Sequence, residues 1–297
     1  MTLQDNVADL AQAATKPKAR RPKGAVLRLI SDPLGAFGLG LILFTVLAAI
    51  AAPLSPFSPS QLSPLERFAD PSWKHLLGTD NLGRDLFTRV LWGARIALTV
   101  SIISTALALV LGLVMGVIAG FAPRWLDNLL LLLLDAAKSV PTVMLALVLV
   151  TITGPSLWAV VLVVVLVNGP AYARIARTQV MALRNADYVD AERALGAGIF
   201  RIVFVHILPN IVGPILIIAA MDIPIVVGIE AGMSFLGLGV RPPTPSWGTI
   251  LYDGFSYIRD SPWMVFAGGL PIVITALGFT FLGEALRDTF DPKLAKK

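Results

Sequence analysis

Apolar residues run along this chain in long blocks, and short polar segments separate the blocks. Six blocks, at about 33–52, 95–121, 126–152, 157–177, 210–235 and 263–286, approach or exceed the ~20 apolar residues that carry a helix across a bilayer. Proline stands inside several of them, including Pro141, Pro170, and Pro214 with Pro224. A membrane helix tolerates proline because neighbouring groups re-satisfy the freed backbone, and proline predicts bends. The pattern therefore predicts an all-α polytopic membrane protein, bent where a transporter needs to move.

Composition agrees. Hydrophobic residues make up 56% of the 297 and charged residues only 14%, and the mean hydropathy is +0.78. The chain has no cysteine, which excludes disulfides, thiol catalysis and iron–sulfur chemistry. His75 and His206 stand far apart in sequence, so a metal site is not expected. The net charge of +5 sorts by loop instead of forming a stripe, which argues against nucleic acid.

Sixteen Lys and Arg side chains fall in the first tail, the loops after spans two and four, and the last tail; six fall in the other loops. The positive-inside rule then puts both termini in the cytoplasm. The loops 54–93 and 237–262 face outward. The first 30 residues hold no continuous apolar core, so no cleaved signal is expected; they read as a basic tail drawn to anionic lipid. The expected division is a tail at 1–32, a first span with its outward loop at 33–94, a core at 95–288 containing a cytoplasmic loop at 185–209, and a tail at 289–297.

That cytoplasmic loop is the most informative polar segment. Asp187 is placed to cap a helix, with Asp190 three residues later where a capping box puts an acid. Tyr188 to Leu195 is rich in helix formers, and Gly196 reads as the residue that ends the helix. A second stretch, Ile199 to Ile207, carries Ile199, Ile202, Val203 and His206 at helical spacing, and Pro209 closes the unit. Taken alone, these residues also suit an ordinary amphipathic linker between spans.

The outward loops carry further patterns. Gly78-x4-Gly83 is not a phosphate loop, because Arg84-Asp85 stand where Lys and Ser or Thr are required. It reads as a turn leading into an interfacial helix, with Leu86, Phe87, Val90, Leu91 and Trp92 at headgroup level. The second loop begins near Glu230 and continues through Pro245-Ser246-Trp247-Gly248 to Pro262-Trp263, a stiff, turn-rich segment with interfacial tryptophans.

Together these motifs resemble the permeases of dipeptide, oligopeptide and nickel ABC importers, of the second of the two types such importers pair. Gly78-Thr79-Asp80, Gly83-Arg84-Asp85 and Arg89 match the family's first outward loop. Glu230-Ala231, Ser234-Phe235-Leu236-Gly237-Leu238-Gly239, Pro245-Ser246-Trp247-Gly248 and Pro262-Trp263 match the second. Asp127, Asp135 and Pro141 match the third span, and Leu286-Arg287-Asp288 with Asp291-Pro292 match the ending. The triplet Asp190-Ala191-Glu192, then Gly196 and Ile207-Leu208-Pro209, is similar to the family's ATPase-coupling loop. Glu192 replaces an alanine on the presumed docking surface. Leu132 stands where an arginine is frequent.

The resemblance implies a type I ABC importer permease fold of six transmembrane helices with a cytoplasmic coupling helix, in a bacterial inner membrane. It implies a sister permease, two ATPase subunits and an extracytoplasmic solute-binding protein as partners. ATP and Mg would be bound by the ATPase subunits and no cofactor by this chain, which is then not itself an enzyme. The coupling residues implied are Tyr188, Asp190, Ala191, Glu192, Ala194, Leu195 and Gly196, with Leu208 and Pro209 at the hinge.

Charge inside a membrane is the usual pointer to a transport path. Asp135 and Lys138, spaced to pair on one helix, Asp222, and Glu230 near the outer end of its span are the candidates, each equally readable as structural. Two rival classes predict other patterns. A stand-alone secondary transporter predicts inverted repeats, and none is visible. A membrane enzyme needs a nucleophile–base or metal constellation, which the residues do not supply.

Overall fold

The computed structural model describes Leu29 and residues 31–290. Most of the expected tail at 1–32, and 291–297 with the Asp291-Pro292 ending, lie outside the described residues. Helix α1 spans Pro33–Ala51; Asp32 caps it by accepting from the Gly35 N–H at 2.8 Å, with proline at the first helical position. Helix α2 spans Leu86–Phe121, and Asp85 caps it by accepting from the Thr88 N–H at 2.7 Å. Then come α3 (Arg124–Ser139), α4 (Thr142–Thr153), α5 (Leu157–Leu183) and the short α6 (Asp187–Ala194). Helices α7 (Leu208–Phe235), α8 (Trp247–Ser256) and α9 (Trp263–Phe290) complete the chain. Among the described residues five helices are long and apolar enough to cross a membrane, and the α3–α4 pair makes six if it counts as one bent span.

Four expectations change. The third span is not one helix: α3 and α4 meet at 93°, because Pro141 disfavours helical backbone at Val140, which is extended (φ −85°, ψ 125°). No interfacial helix precedes the second span. Leu86 begins a single helix of 36 residues, and Leu86 and Leu91 are buried in the core. The fourth span continues to Leu183, so Arg174 and Arg177 lie within it. Finally, Pro209 does not close a separate amphipathic helix. Ile199–Arg201 runs through a π-turn at Ile202–Ile207 directly into α7. The Leu208 N–H bonds the Val203 carbonyl, a wide turn just before the proline that has no N–H to offer.

Helices α2 and α5 run parallel along the seam Gly112, Gly116, Gly120. A Cβ on Gly116 would lie 2.5 Å from the Ala173 carbonyl and from the Ala176 Cβ; one on Gly120 would lie 2.5 Å from Val180 Cγ1. The small residues permit an approach that any side chain would block. Helices α1 and α9 pack antiparallel, with Thr45 and Thr275 hydroxyls 3.2 Å apart in their buried interface.

At one end of the bundle the segment 55–85 folds over the head of α2. Gly78 and Gly83 both take φ +74°, where a side chain is strained; a Cβ on Gly83 would also lie 1.9 Å from the Ser63 carbonyl. Helix α8 packs beside this turn. Trp247 is buried, not interfacial, and its Nε1–H donates to the Val90 carbonyl at 3.0 Å. The opposite end carries α6.

Candidate functional site

Helix α6 is rooted in the core at Val189 and tied at Glu192, and its remaining face is open. Val189 is fully buried among Val180, Ile202 and Ile207, an anchor worth roughly 1.5–3 kcal/mol. That cluster joins the end of α5 to the root of α7. Asp187 is not the cap: Ala186 holds that position without a side-chain bond, and Asp187 and Asp190 fall in the first turn. There they complement the helix dipole, and Asp190 pairs with Arg193 at 2.9 Å. The far end is a Schellman turn. The Gly196 and Ala197 N–H groups donate to the Arg193 and Glu192 carbonyls at 2.9 and 3.0 Å, with Gly196 at φ +86°.

Tyr188, Asp190, Ala191, Ala194, Leu195 and Gly196 are all exposed. Leu195 is 83% exposed and the nearby Phe200 77%. Tyr188, Ala191 and Leu195 share one helical face, so α6 presents a mixed apolar and acidic surface that none of the described residues covers. Glu192 turns away from this surface. Half-buried, it reaches Arg201 at 3.6 Å and His206 Nε2 at 3.3 Å, tying α6 to the approach of α7. Leu208 packs against the Val189 cluster, while Pro209 is exposed on the first turn of α7.

The intramembrane charges separate into fixed pairs and a looser group. Asp135 pairs with Arg174 of α5, not with Lys138. Sequence reasoning missed the pair beside it. Arg177 Nε and Nη2 each donate to an Asp127 carboxylate oxygen at 2.5 Å, joining α5 to α3. Arg184 Nη1 donates to the Gly120 carbonyl at 2.5 Å, closing the α2–α5 seam. Their signal is a run of arginines late in one span facing acids early in another, visible only once the spans are placed side by side.

Asp222 of α7 is half-buried and interacts with Tyr172 and Lys138. Glu230 is neither solvated nor at a surface. It is fully buried and accepts from the Ser234 hydroxyl at 2.8 Å.

The opposite end holds a second charged knot. Asp80 accepts from the Arg84 Nε at 2.6 Å and lies 3.4 Å from the Arg89 Nε, and the Arg84 Nη2 reaches Asp253 of α8 at 3.5 Å. Burial raises the Asp253 carboxyl above its ordinary range, against the pull of Arg89 and Arg84. His75 Nδ1 and Asp85 Oδ1 are 2.9 Å apart beneath the turn.

Residues 108–296 match the family model described as "Binding-protein-dependent transport system inner membrane component". The dipeptide transport system permease protein DppC of Alkalihalophilus pseudofirmus is 38% identical, over 91% of this chain and 89% of its own length. The di/tripeptide transport system permease protein DppC of Pseudomonas aeruginosa is 39% identical, over 86% and 87%. Among solved structures, an inward-facing MetNI methionine ABC transporter aligns with a TM-score of 0.55 at 21% identity, covering 68% of this chain and 96% of that one.

Proposed function

The chain belongs to the binding-protein-dependent transport system inner membrane components, and on that premise we propose that it passes small peptides across a bacterial inner membrane as half of a paired path. It is a multi-pass permease subunit of an ABC importer. The peptide class follows the relatives, which are named for dipeptides and tripeptides.

Energy enters from outside the chain. ATP and Mg belong in this reading to two ATPase subunits, and the surface of α6 is where they dock. The carrying observation is the uncovered face of α6, with Leu195 83% exposed, on a helix rooted by Val189 in the core that joins α5 to α7. Tyr188, Asp190, Ala191, Ala194, Leu195 and Gly196 form the contact. Glu192, held by Arg201 and His206, passes the push to α7. Leu208 and Pro209, beside the π-turn, give α7 a place to bend. With α6 cytoplasmic, both termini are cytoplasmic. The Gly78 turn and α8 then face outward, toward a solute-binding protein, and a sister permease supplies the other half of the path.

The test is affinity purification of the tagged chain from detergent-solubilised membranes, as wild type and as Gly196→Asp. A Cβ at Gly196 meets nothing within 4 Å, so the variant's cost is local strain at φ +86°. Wild type should bring down a second permease and ATP-hydrolysing subunits, and the variant should lose the latter. Recovery of the wild-type chain alone, stable and monodisperse, would refute the assignment.

A further inference from the structure

We propose that the outward knot is a docking socket, in which Arg84, Arg89 and Arg241 receive an aspartate or glutamate side chain of the solute-binding protein. This rests on the importer reading above and names the chemistry of one contact within it.

The socket is a cavity of about 400 Å³ between the turn at Asn81–Arg84, the end of α7 and helix α8. Arg84 and Arg89 line it and are 6% and 2% exposed. Each guanidinium carries a fork of N–H donors. Among the described residues the two make three hydrogen bonds: Arg84 Nε to Asp80 at 2.6 Å, Arg84 Nη2 to Asp253 at 3.5 Å, and Arg89 Nη1 to the Pro59 carbonyl at 3.3 Å. The Arg89 Nε is buried without a hydrogen bond. Asp80 Oδ2 stands 3.4 Å from it and is already taken by Arg84. Buried donors ordinarily find acceptors, so these two side chains have bonds left to make.

Charge is unbalanced in the same direction. Arg84, Arg89 and Arg241 face Asp80 and Asp253, a surplus of one positive charge even with both acids ionised. Asp80 is committed to the turn, where it also accepts from the Leu82 and Arg84 N–H groups at 2.8 and 2.9 Å. Arg241 is exposed on the rim, and its guanidinium has no ionic or hydrogen-bonded partner among the described residues. A carboxylate supplies both missing quantities, acceptor oxygens and negative charge, and meets an arginine through two parallel N–H bonds.

The setting selects a protein carboxylate over that of a solute in transit. The cavity reaches no deeper than Arg89 on the first turn of α2 and Ser234 on the last turn of α7, so it leads nowhere along the spans. Leu82, Leu236 and Tyr252 stand exposed around its charged floor. An apolar and aromatic ring that shuts water out of a central charged contact is the anatomy of a protein interface.

The experiment measures docking of the purified solute-binding protein to the whole importer in lipid nanodiscs by surface plasmon resonance, at low and at high salt. Arg241→Glu should slow association, weaken docking by about tenfold or more and flatten its salt dependence. Arg89→Gln should act on dissociation instead, because it removes a buried charge. One surface acid of the binding protein, changed to its amide, should weaken docking to wild type by a similar factor and have far less effect on docking to Arg241→Glu. Arg241 has no partner in the fold to lose, so its variant remains readable if Arg89→Gln does not assemble.

Docking of Arg241→Glu within twofold of wild type at both salt concentrations would overturn the socket, as would a scan of surface acids in which none is coupled to Arg241. Loss of the sister permease from the Arg241→Glu complex would make this a contact between permeases. Unchanged docking with a raised KM for dialanine uptake would make it a solute site. Either result overturns the proposal. A wild-type importer that docks no solute-binding protein would instead overturn the importer reading beneath it.

Discussion

Arg177 grips both oxygens of Asp127, at 2.5 Å each, and so fastens α5 to the root of α3 across 50 residues of sequence. The pair is mostly shielded from solvent, and a bidentate guanidinium–carboxylate contact is the strong form of the interaction. Asp127→Ala leaves the arginine short of its partner and should cost about 1.5–3 kcal/mol. Thermal unfolding of the detergent-purified chain, read against Asp190→Ala on the exposed surface, checks this. Equal melting temperatures would mean that the clamp contributes nothing.

Trp247 makes the corresponding tie at the other end. Its indole donates to the Val90 carbonyl and lies against Gly93, where an added Cβ would stand 2.6 Å from Trp247 Cδ1. Trp247→Phe keeps most of the apolar contact and should cost about 1 kcal/mol for the lost bond. Trp247→Ala should cost about 3–5 kcal/mol. Gly93→Ala, with the indole intact, should destabilise by forcing the ring aside. The three melting temperatures, measured together, separate hydrogen bond, volume and fit.

What the sequence made legible was whatever one segment decides locally. Apolar runs mark the spans, Gly78 and Gly83 mark a turn, and Gly196 ends α6, because each depends on residues a few positions apart. The break at Pro141 was legible as a bend but not as a 93° turn, since the angle is set by what α3 and α4 pack against. The Asp135 partner was misjudged for the same reason: helical spacing offered Lys138, and the fold offered Arg174. Glu192 looked like part of the surface of α6 because nothing local shows His206 returning beneath it. Helix α8 was hidden in a proline-rich loop, although Ser246 and Thr249 form the capping box that starts it.

Asp253 gives the outer knot a pH dependence of definite sign. Its carboxyl is raised by burial more than Arg89 and Arg84 lower it, so ionising it in the fold costs more than ionising it in the unfolded chain. Its contribution to stability is therefore greatest below the unfolded value, about 3.9, and is lost as pH rises through the raised folded value. Asp253→Asn removes that titration. The difference in melting temperature between wild type and variant should tilt toward the wild type as pH falls from 7 into the carboxylate range. A difference that stays flat over that interval would contradict the burial argument.

Attachment and contact are separable on the one short helix α6. Ala191 is exposed on the outer face of α6, whereas Val189, two residues away, is its buried root. Ala191→Arg adds bulk and charge to the docking face without touching the core. It should weaken retention of the ATPase subunits by about tenfold or more and leave the melting temperature of the permease unchanged. Val189→Ala does the reverse. It removes about two methyl groups from the cluster with Ile202 and Ile207, costing about 1–3 kcal/mol, and leaves the outer face intact. ATPase subunits should then still co-purify, but transport per ATP hydrolysed should fall, because the helix no longer moves α5 and α7 with it. Co-purification, melting temperature and uptake on the same preparations decide between these outcomes. If Ala191→Arg retains the ATPase at wild-type level while properly inserted, α6 is not the contact.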